Sequence, residues 1–419
     1  MPEERLDRAA RLPALRSRDF RLLWLGQMVS LAGSQMQHWT LNWQLYELTG
    51  SAMALGLLGL VRVLPMVVLS LAGGAVADAL DRRKMMLATQ GAMMAIAAAL
   101  GLLTWNGTLT SALIYTLSAV AAGALAFDGP ARQSLLPNLV PREHFANAVS
   151  LFSMVRQVAQ IVGPSIAGIL IAANGVALVY ALNAVSFLGV LAALVLIRAP
   201  AAAGPRGRMD LEALTEGVRF LRGQPLLFAT MLLDFLATFF ASANTLLPIF
   251  AKEVLHVGPK GYGVLAAAPA VGSLVANGVL VSLPRLRRQG PLILTAVALF
   301  GLATVVFGLS RWYPLSVLAF GATGAADTVS TVVRQTMRQL LTPDHLRGRM
   351  TALGMLFFMG GPQLGELEAG LVAAWLGAPA SVLLGGLGCL ASVAWVAARF
   401  PGLRAYDGVE TIEGHKRSD

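Results

Sequence analysis

Apolar stretches follow one another along the whole chain, parted by short breaks rich in charge, Gly or Pro. An α-helix needs about 20 mostly apolar residues to cross the hydrocarbon core of a bilayer, and it satisfies its own backbone polar groups where no water can. The pattern therefore predicts an all-α membrane protein with twelve spans, near residues 21–47, 51–78, 85–105, 109–131, 144–173, 176–198, 225–251, 261–284, 291–309, 313–336, 348–374 and 378–399. The only long connection, 199–224, opens with AAAGPRGR, a flexible linker. It continues as DLEALTEGVRFLRGQ, whose alternation predicts a short amphipathic helix on the membrane surface. This connection separates a tail (1–20) and six spans (21–198) from six further spans (225–400) and a second tail (401–419).

The two halves repeat. A shift of 202 residues lays Arg132-Gln133 on Arg334-Gln335, Pro141 on Pro343, Leu151 on Leu353, Gly163 on Gly365, Gly168 on Gly370 and Gly175 on Gly377. One ungapped offset carrying both polar and Gly/Pro matches argues for duplication. Two pseudo-symmetric six-helix bundles are the layout of a transporter whose halves rock about a midplane site.

Charge orients these spans and narrows the class. Of 32 Lys and Arg, Lys252, Lys260 and Arg311 fall in connections of one side, Arg62 and Arg156 lie within spans, and the other 27 occupy the tails and connections of the opposite side. Bases concentrate on the cytoplasmic side, so both termini are expected there. A net charge of +10 would suit a nucleic-acid binder if the bases shared one face with stacking aromatics. They sit in short connections instead, so no nucleic acid is expected and the lipid bilayer is the partner. With 56% hydrophobic and 13% charged residues and a mean hydropathy of +0.67, lipid is the solvent for most of the chain. Cys389, the single cysteine, allows no internal disulfide or thiolate metal site. His38, His144, His256, His345 and His415 show no ligand spacing, and no metal, cofactor or enzyme motif is expected. The opening MPEERLDRAARLPALRSRDF lacks the apolar core of a cleaved signal peptide.

The loop GAVADALDRRK, Gly74 to Lys84, breaks a hydrophobic run with two acids and three bases. Its Gly74, Asp78, Arg82 and Arg83 resemble the signature between the second and third helices of the major facilitator superfamily. Ala79 stands where a base is common, and Asp81 where glycine is common. In order, FRLLWLGQMVSLAGS, ADALDRRK, DGPARQSLLPNLVPREHFANAVSL, IVGPSIAG and LRGRMTAL resemble the enterobactin-exporter-like branch of that superfamily, over roughly Leu12 to Arg404. The resemblance implies the major facilitator fold in a bacterial inner membrane, acting as a monomer. It also implies a transporter rather than an enzyme, which exports a small molecule (a siderophore, drug or metabolite) on a proton gradient.

The resemblance makes the Gly74 loop a conformational latch, with Asp78, Arg82 and Arg83 bonding helix ends and carboxylates of the other half in the outward-facing state. The alternative is a plain topology signal. Asp128 and Arg132, one turn apart, either extend the latch or form a self-contained pair. Ala159, Gly163, Pro164, Ala167 and Gly168 resemble the Gly/Pro pattern of exporters, which reads as a bending seam or as ordinary close packing. The fourth span lacks the arginine that many proton-driven exporters carry there, so proton coupling follows from the family alone.

A charge in hydrocarbon must find water or a partner. At about 1.5 Å per residue, Arg62, Arg156 and Asp234 lie about 15 Å deep, which gives a cavity between the halves one basic and one acidic wall. Arg156 shares a helix face with Gln160 and Gly163, and Gln35, His38 and Asn42 form a stripe on the first span. On this reading Arg62 or Arg156 receives an anionic substrate group, with Gln160, Gln35, His38 and Asn42 lining the cavity, and Asp234 takes the proton. A structural ion pair such as Arg156 with Asp234, or a snorkelling arginine, is the alternative. Asp327, a further proton-coupling candidate, shares a face with Arg334 and Arg338, where the three neutralise one another. Glu366 and Glu368 point to different sides of their helix, and Glu366, just past a kink at Pro362, is the second protonation candidate. An importer of the same fold and a lipid flippase or scramblase compete with the exporter.

Overall fold

The computed structural model describes residues 12–79, 81–198, 211–283, 287–343 and 346–408. Among them every regular element is helical. After a 3-10 turn at Pro13–Arg16 come α1 (Arg18–Thr49), α2 (Ala52–Ala79), α3 (Arg82–Trp105), α4 (Ser111–Leu135), α5 (Phe145–Asn174) and α6 (Val176–Leu196). They are followed by α7 (Leu211–Arg222), α8 (Pro225–Phe240), the short α9 (Leu247–Ile249), α10 (Gly258–Ser282), α11 (Gln289–Leu309), α12 (Tyr313–Leu341), α13 (Arg347–Leu376), α14 (Ala378–Arg399) and α15 (Pro401–Ala405). After α8 the helix breaks at residues 241–243 and resumes through a 3-10 turn at Asn244–Leu246, α9 and a π-turn at Phe250–Val254, and Pro225–Val254 together is long and apolar enough for one span.

Among the described residues ten helices are long and apolar enough to cross a membrane, which makes the chain an integral membrane protein. Large apolar side chains lie open on their outer faces, such as Leu64, Leu102, Val281 and Leu318, where lipid is the matching solvent. Trp105, Trp312 and Trp375 are exposed at the ends of α3, α12 and α13, the level at which indole rings anchor to a bilayer interface.

The sequence repeat returns in the backbone. Displaced by 202, the bounds of α5 fall on those of α13, and the first residues of α4 and α6 fall on those of α12 and α14. Gly175 and Gly377 make the same turn between the paired helices, with φ of 78° and 84°, a left-handed value that glycine adopts without strain. The pairing repeats as well: α3 packs on α4 and α6, and α11 on α12 and α14.

The chain forms two compact units. One comprises the described residues up to Thr40 with those of Leu64–Arg208; the other comprises Leu41–Val63 with those from Met209 onward. Phe20, Leu23, Met86, Leu135, Leu151, Phe187 and Leu194 belong to the core of the first. In the second, Leu233, Ile293, Val333, Cys389 and Val396 are fully buried, and α7 lays Leu221 with Leu227 and Met231 of α8 against Met350 and Leu353 of α13. A helix, α7, thus occupies Leu211–Arg222; linker residues 199–210 and the far ends of both tails lie outside the described residues.

Candidate functional site

In the first unit, α3 begins at Arg82 because Asp81 caps it, its carboxylate accepting the backbone N–H of Arg83 at 2.9 Å and of Lys84 at 3.3 Å. Arg82 donates to the carbonyl of Ser134 at 3.0 Å and Arg83 to that of Val195 at 2.6 Å, the last turns of α4 and α6. Both arginines thus neutralise helix C-termini of their own unit. The side chains of Gly74 and Asp78 lie outside the described residues.

Asp128 is fully buried on α4 and accepts from Thr89 at 3.0 Å, from Gln90 at 2.8 Å and from Arg132 one turn on. Arg132 reaches Gln27 at 3.4 Å. The pair is held on α3 and α1 by neutral partners. A Cβ on Gly163 would lie 2.5 Å from the Cβ of Gln35 and 3.1 Å from the carbonyl oxygen of Ala32, so α5 and α1 pack there backbone to backbone. Gln160 and His38 are half-buried, the His38 ring edge-on to Trp39. Arg156 is exposed on α5, with no ion-pair partner among the described residues.

The second unit holds the sharper chemistry. Asp234 on α8 and Arg334 on α12 form an ion pair at 2.8 Å, their side chains 9% and 10% exposed. Arg334 also donates to Ser330 at 3.1 Å and Thr331 at 2.9 Å, and its charge reaches Asp327 two turns before it. Arg338 adds a second positive charge within reach of Asp234, its guanidinium lying against Gly354 of α13. Two acids and two bases therefore balance inside one unit. Thr238 and Phe300 join Asp234, Asp327, Ser330 and Arg334 around a void of about 10 Å³, the size of one water molecule. The carboxylate set against Arg62 and Arg156 from sequence alone is thus engaged by an arginine of its own half.

Arg62 and Glu366 meet in this unit: Glu366 feels the charge of Arg62, and a Cβ on Gly59 would lie 2.7 Å from its carboxylate. Gly56 and Gly370 bring α2 and α13 together so closely that a Cβ on Gly56 would stand 3.0 Å from the Cα of Gly370. Just past Pro362, whose carbonyl accepts from Ser242 at 3.3 Å, Gly365 seats α13 on the backbone of Phe239. Asn42 is buried.

A cluster that the sequence reading did not single out closes one end of the unit. The Tyr46 hydroxyl donates to the Glu253 carboxylate, and Lys252 lies 5.9 Å from the centre of the Tyr46 ring. Trp43 packs on Tyr262 at 5.2 Å between ring centres, and Thr245 donates to the carbonyl of Leu55 at 3.3 Å. In the sequence Lys252 reads only as a charge in a connection, and Glu253 beside it was not singled out. Tyr46, at the end of an apolar run, carried no signal of a polar role.

The model of a family described as "Transmembrane secretion effector" matches residues 9–414. Enterobactin exporter EntS of Citrobacter koseri is 29% identical over 376 residues, covering 87% of this chain and 84% of that protein, and the same exporter of Shigella boydii serotype 18 is 29% identical over 378 residues, covering 87% and 85%. Among solved structures, a bacterial homologue of the iron transporter ferroportin in its inward-facing state aligns with a TM-score of 0.69 at 16% identity, covering 93% of this chain and 99% of that one. A bacterial homologue of the lysosomal transporter Spinster, inward-facing and unoccupied, aligns with 0.68 at 15%, covering 93% and 96%. At those identities the likeness speaks for the fold alone. With the family model matching residues 9–414, nearly the whole length given, this chain belongs to the transmembrane secretion effector family, within the major facilitator superfamily.

Proposed function

We propose that the chain is a secondary transporter that exports a small anionic or amphipathic compound, such as a siderophore, by proton-driven alternating access. Its twelve spans would form two six-helix bundles with both termini in the cytoplasm. Similarity to exporters of enterobactin supports the direction and the substrate class. The observation that carries the coupling is the Asp234–Arg334 pair beside a water-sized void.

A proton arriving at Asp234 cancels the carboxylate charge. Arg334 then keeps Ser330 and Thr331 as acceptors and has Asp327 as its anion, all on α12. The attraction between α8 and α12 is lost, while no buried base is left uncompensated. Asp234 and Glu253 lie on one span, so a shift of that span bears on the Tyr46 contact at its far end. On the charge distribution of the connections, that end faces outward. The reading assigns the substrate anion to Arg156, which is exposed, and a structural or second coupling role to Arg62 with Glu366.

The test is uptake of labelled siderophores and toxic compounds into everted vesicles under an imposed proton gradient. An exporter accumulates its substrate there, and an uncoupler abolishes it. Accumulation only in right-side-out vesicles would make the chain an importer, and scrambling of fluorescent lipid in its place would make it a flippase or scramblase.

A further inference from the structure

A second basic site lies at the opposite end of the Asp234 span. Arg222 closes α7, Pro225, Leu226 and Phe228 open α8, and Arg399, Phe400, Pro401, Gly402 and Leu403 carry the chain from α14 into α15. Together they enclose a recess of about 600 Å³, within the range of small-molecule sites. Both arginines are exposed, and neither has a carboxylate partner among the described residues. Arg399 stands 5.6 Å from the Phe400 ring centre, and Phe400 packs at 6.2 Å on Phe228. Among the described residues no acid lines the recess. Asp407, the nearest in sequence, is exposed, and its carbonyl accepts the backbone N–H of Arg288. The recess also sits where two membrane-crossing helices, Pro225–Val254 and Ala378–Arg399, begin and end, beside α7, and Trp395 is exposed one turn before the end of α14. Two unpaired guanidinium groups over a Phe/Leu wall at the membrane boundary match a phosphodiester joined to acyl chains.

We infer that this recess binds an anionic phospholipid, its phosphate held by Arg222 and Arg399 and its upper chain laid along Leu226, Phe228 and Phe400. Bridging α7 and α8 to α14 and α15, such a lipid ties α7 to the end of the last span. The inference rests on the membrane-spanning helices and is independent of the direction or coupling of transport.

The experiment uses the full-length protein in vesicles of phosphatidylcholine carrying spin-labelled phosphatidylglycerol or spin-labelled phosphatidylcholine. The wild type is expected to immobilise the anionic label preferentially, and high salt to remove the preference. Arg222→Gln with Arg399→Gln should weaken the preference by about thirtyfold, from roughly one kcal/mol per base, whereas Arg311→Gln should leave it unchanged. Added inorganic phosphate separates the two sources of the same chemistry: a recess built for lipid keeps its label, and complete displacement would assign the site to a free anion. The wild-type comparison needs no variant to fold, and equal immobilisation of both labels would overturn the inference.

Discussion

The Asp234–Arg334 pair can be weighed by a double-substitution cycle. At an effective dielectric of about 20, unit charges about 4 Å apart attract by about 4 kcal/mol. Asp234→Asn removes that attraction but leaves Arg334 with the hydroxyls of Ser330 and Thr331, so the expected destabilisation is about 2–3 kcal/mol rather than the 3–5 of an orphaned buried charge. Arg334→Gln leaves Asp234 and Asp327 together with only Arg338 to offset them, and should fall in that higher range. The double variant removes an acid and a base together, and its loss should be smaller than the sum of the single losses by about 2 kcal/mol. The protein carries its own reporter: Cys389, the single cysteine, is fully buried in the core of the same unit. Its reaction with a thiol-sensitive dye during heating follows unfolding of that unit, and a body of this size shifts by about 2–4 °C per kcal/mol. Gradient-driven flux should vanish in Asp234→Asn and stay absent in the double variant even as stability returns. Single losses that simply add, or transport by Asp234→Asn at the wild-type rate, would refute the reasoning.

Four further outcomes follow from the contacts. Tyr46→Phe removes the donor to Glu253; because Glu253 is exposed, the loss should stay below about 1.5 kcal/mol, and hydrogen exchange across Leu41–Val63 should rise while the rest keeps its protection. Gly56→Ala forces a methyl group onto Gly370 and should cost about 1–3 kcal/mol in thermal unfolding, against little change for Gly91→Ala, where the added carbon meets no neighbour. Asp81→Ala should lose about 1 kcal/mol with the cap, and Asp81→Gly only a few tenths, measured by the same melting. Asp128→Asn should destabilise by about 3 kcal/mol through the uncompensated Arg132, and Asp128→Asn with Arg132→Gln should recover most of it.

The positions of the long helices and the repeat were legible because run length and the Gly/Pro spacing encode them locally. Helix ends were not, for a physical reason: hydropathy stops a span at its first charge, whereas the helix continues into water. Thus α3 takes in Arg82 to Lys84 on its Asp81 cap, α4 runs to Leu135 past Arg132, and α12 to Leu341 past Arg338. Charged partners were half legible. Asp128 with Arg132 lie a turn apart on one helix, and spacing suffices to pair them. Asp234 with Arg334 lie on different helices, α8 and α12, whose relative register is set by packing across the unit and leaves no mark in either segment alone. The Tyr46–Glu253 contact has the same character, with the further disguise that its donor reads as an apolar aromatic.

The boundary between the compact units crosses α1 at Thr40 and α2 at Val63, and Pro65, which cannot donate to the preceding turn, follows two residues later. A chain cut in the 199–210 linker would therefore leave the amino-terminal fragment with the described residues of the first unit plus Leu41–Val63, and the carboxy-terminal fragment without that segment of its own unit. The carboxy-terminal fragment would expose Tyr262 and Gly370 where Trp43 and Gly56 belong. Co-expression of the fragments should restore both, and a synthetic peptide spanning Leu41–Val63 would be a selective ligand for the larger piece.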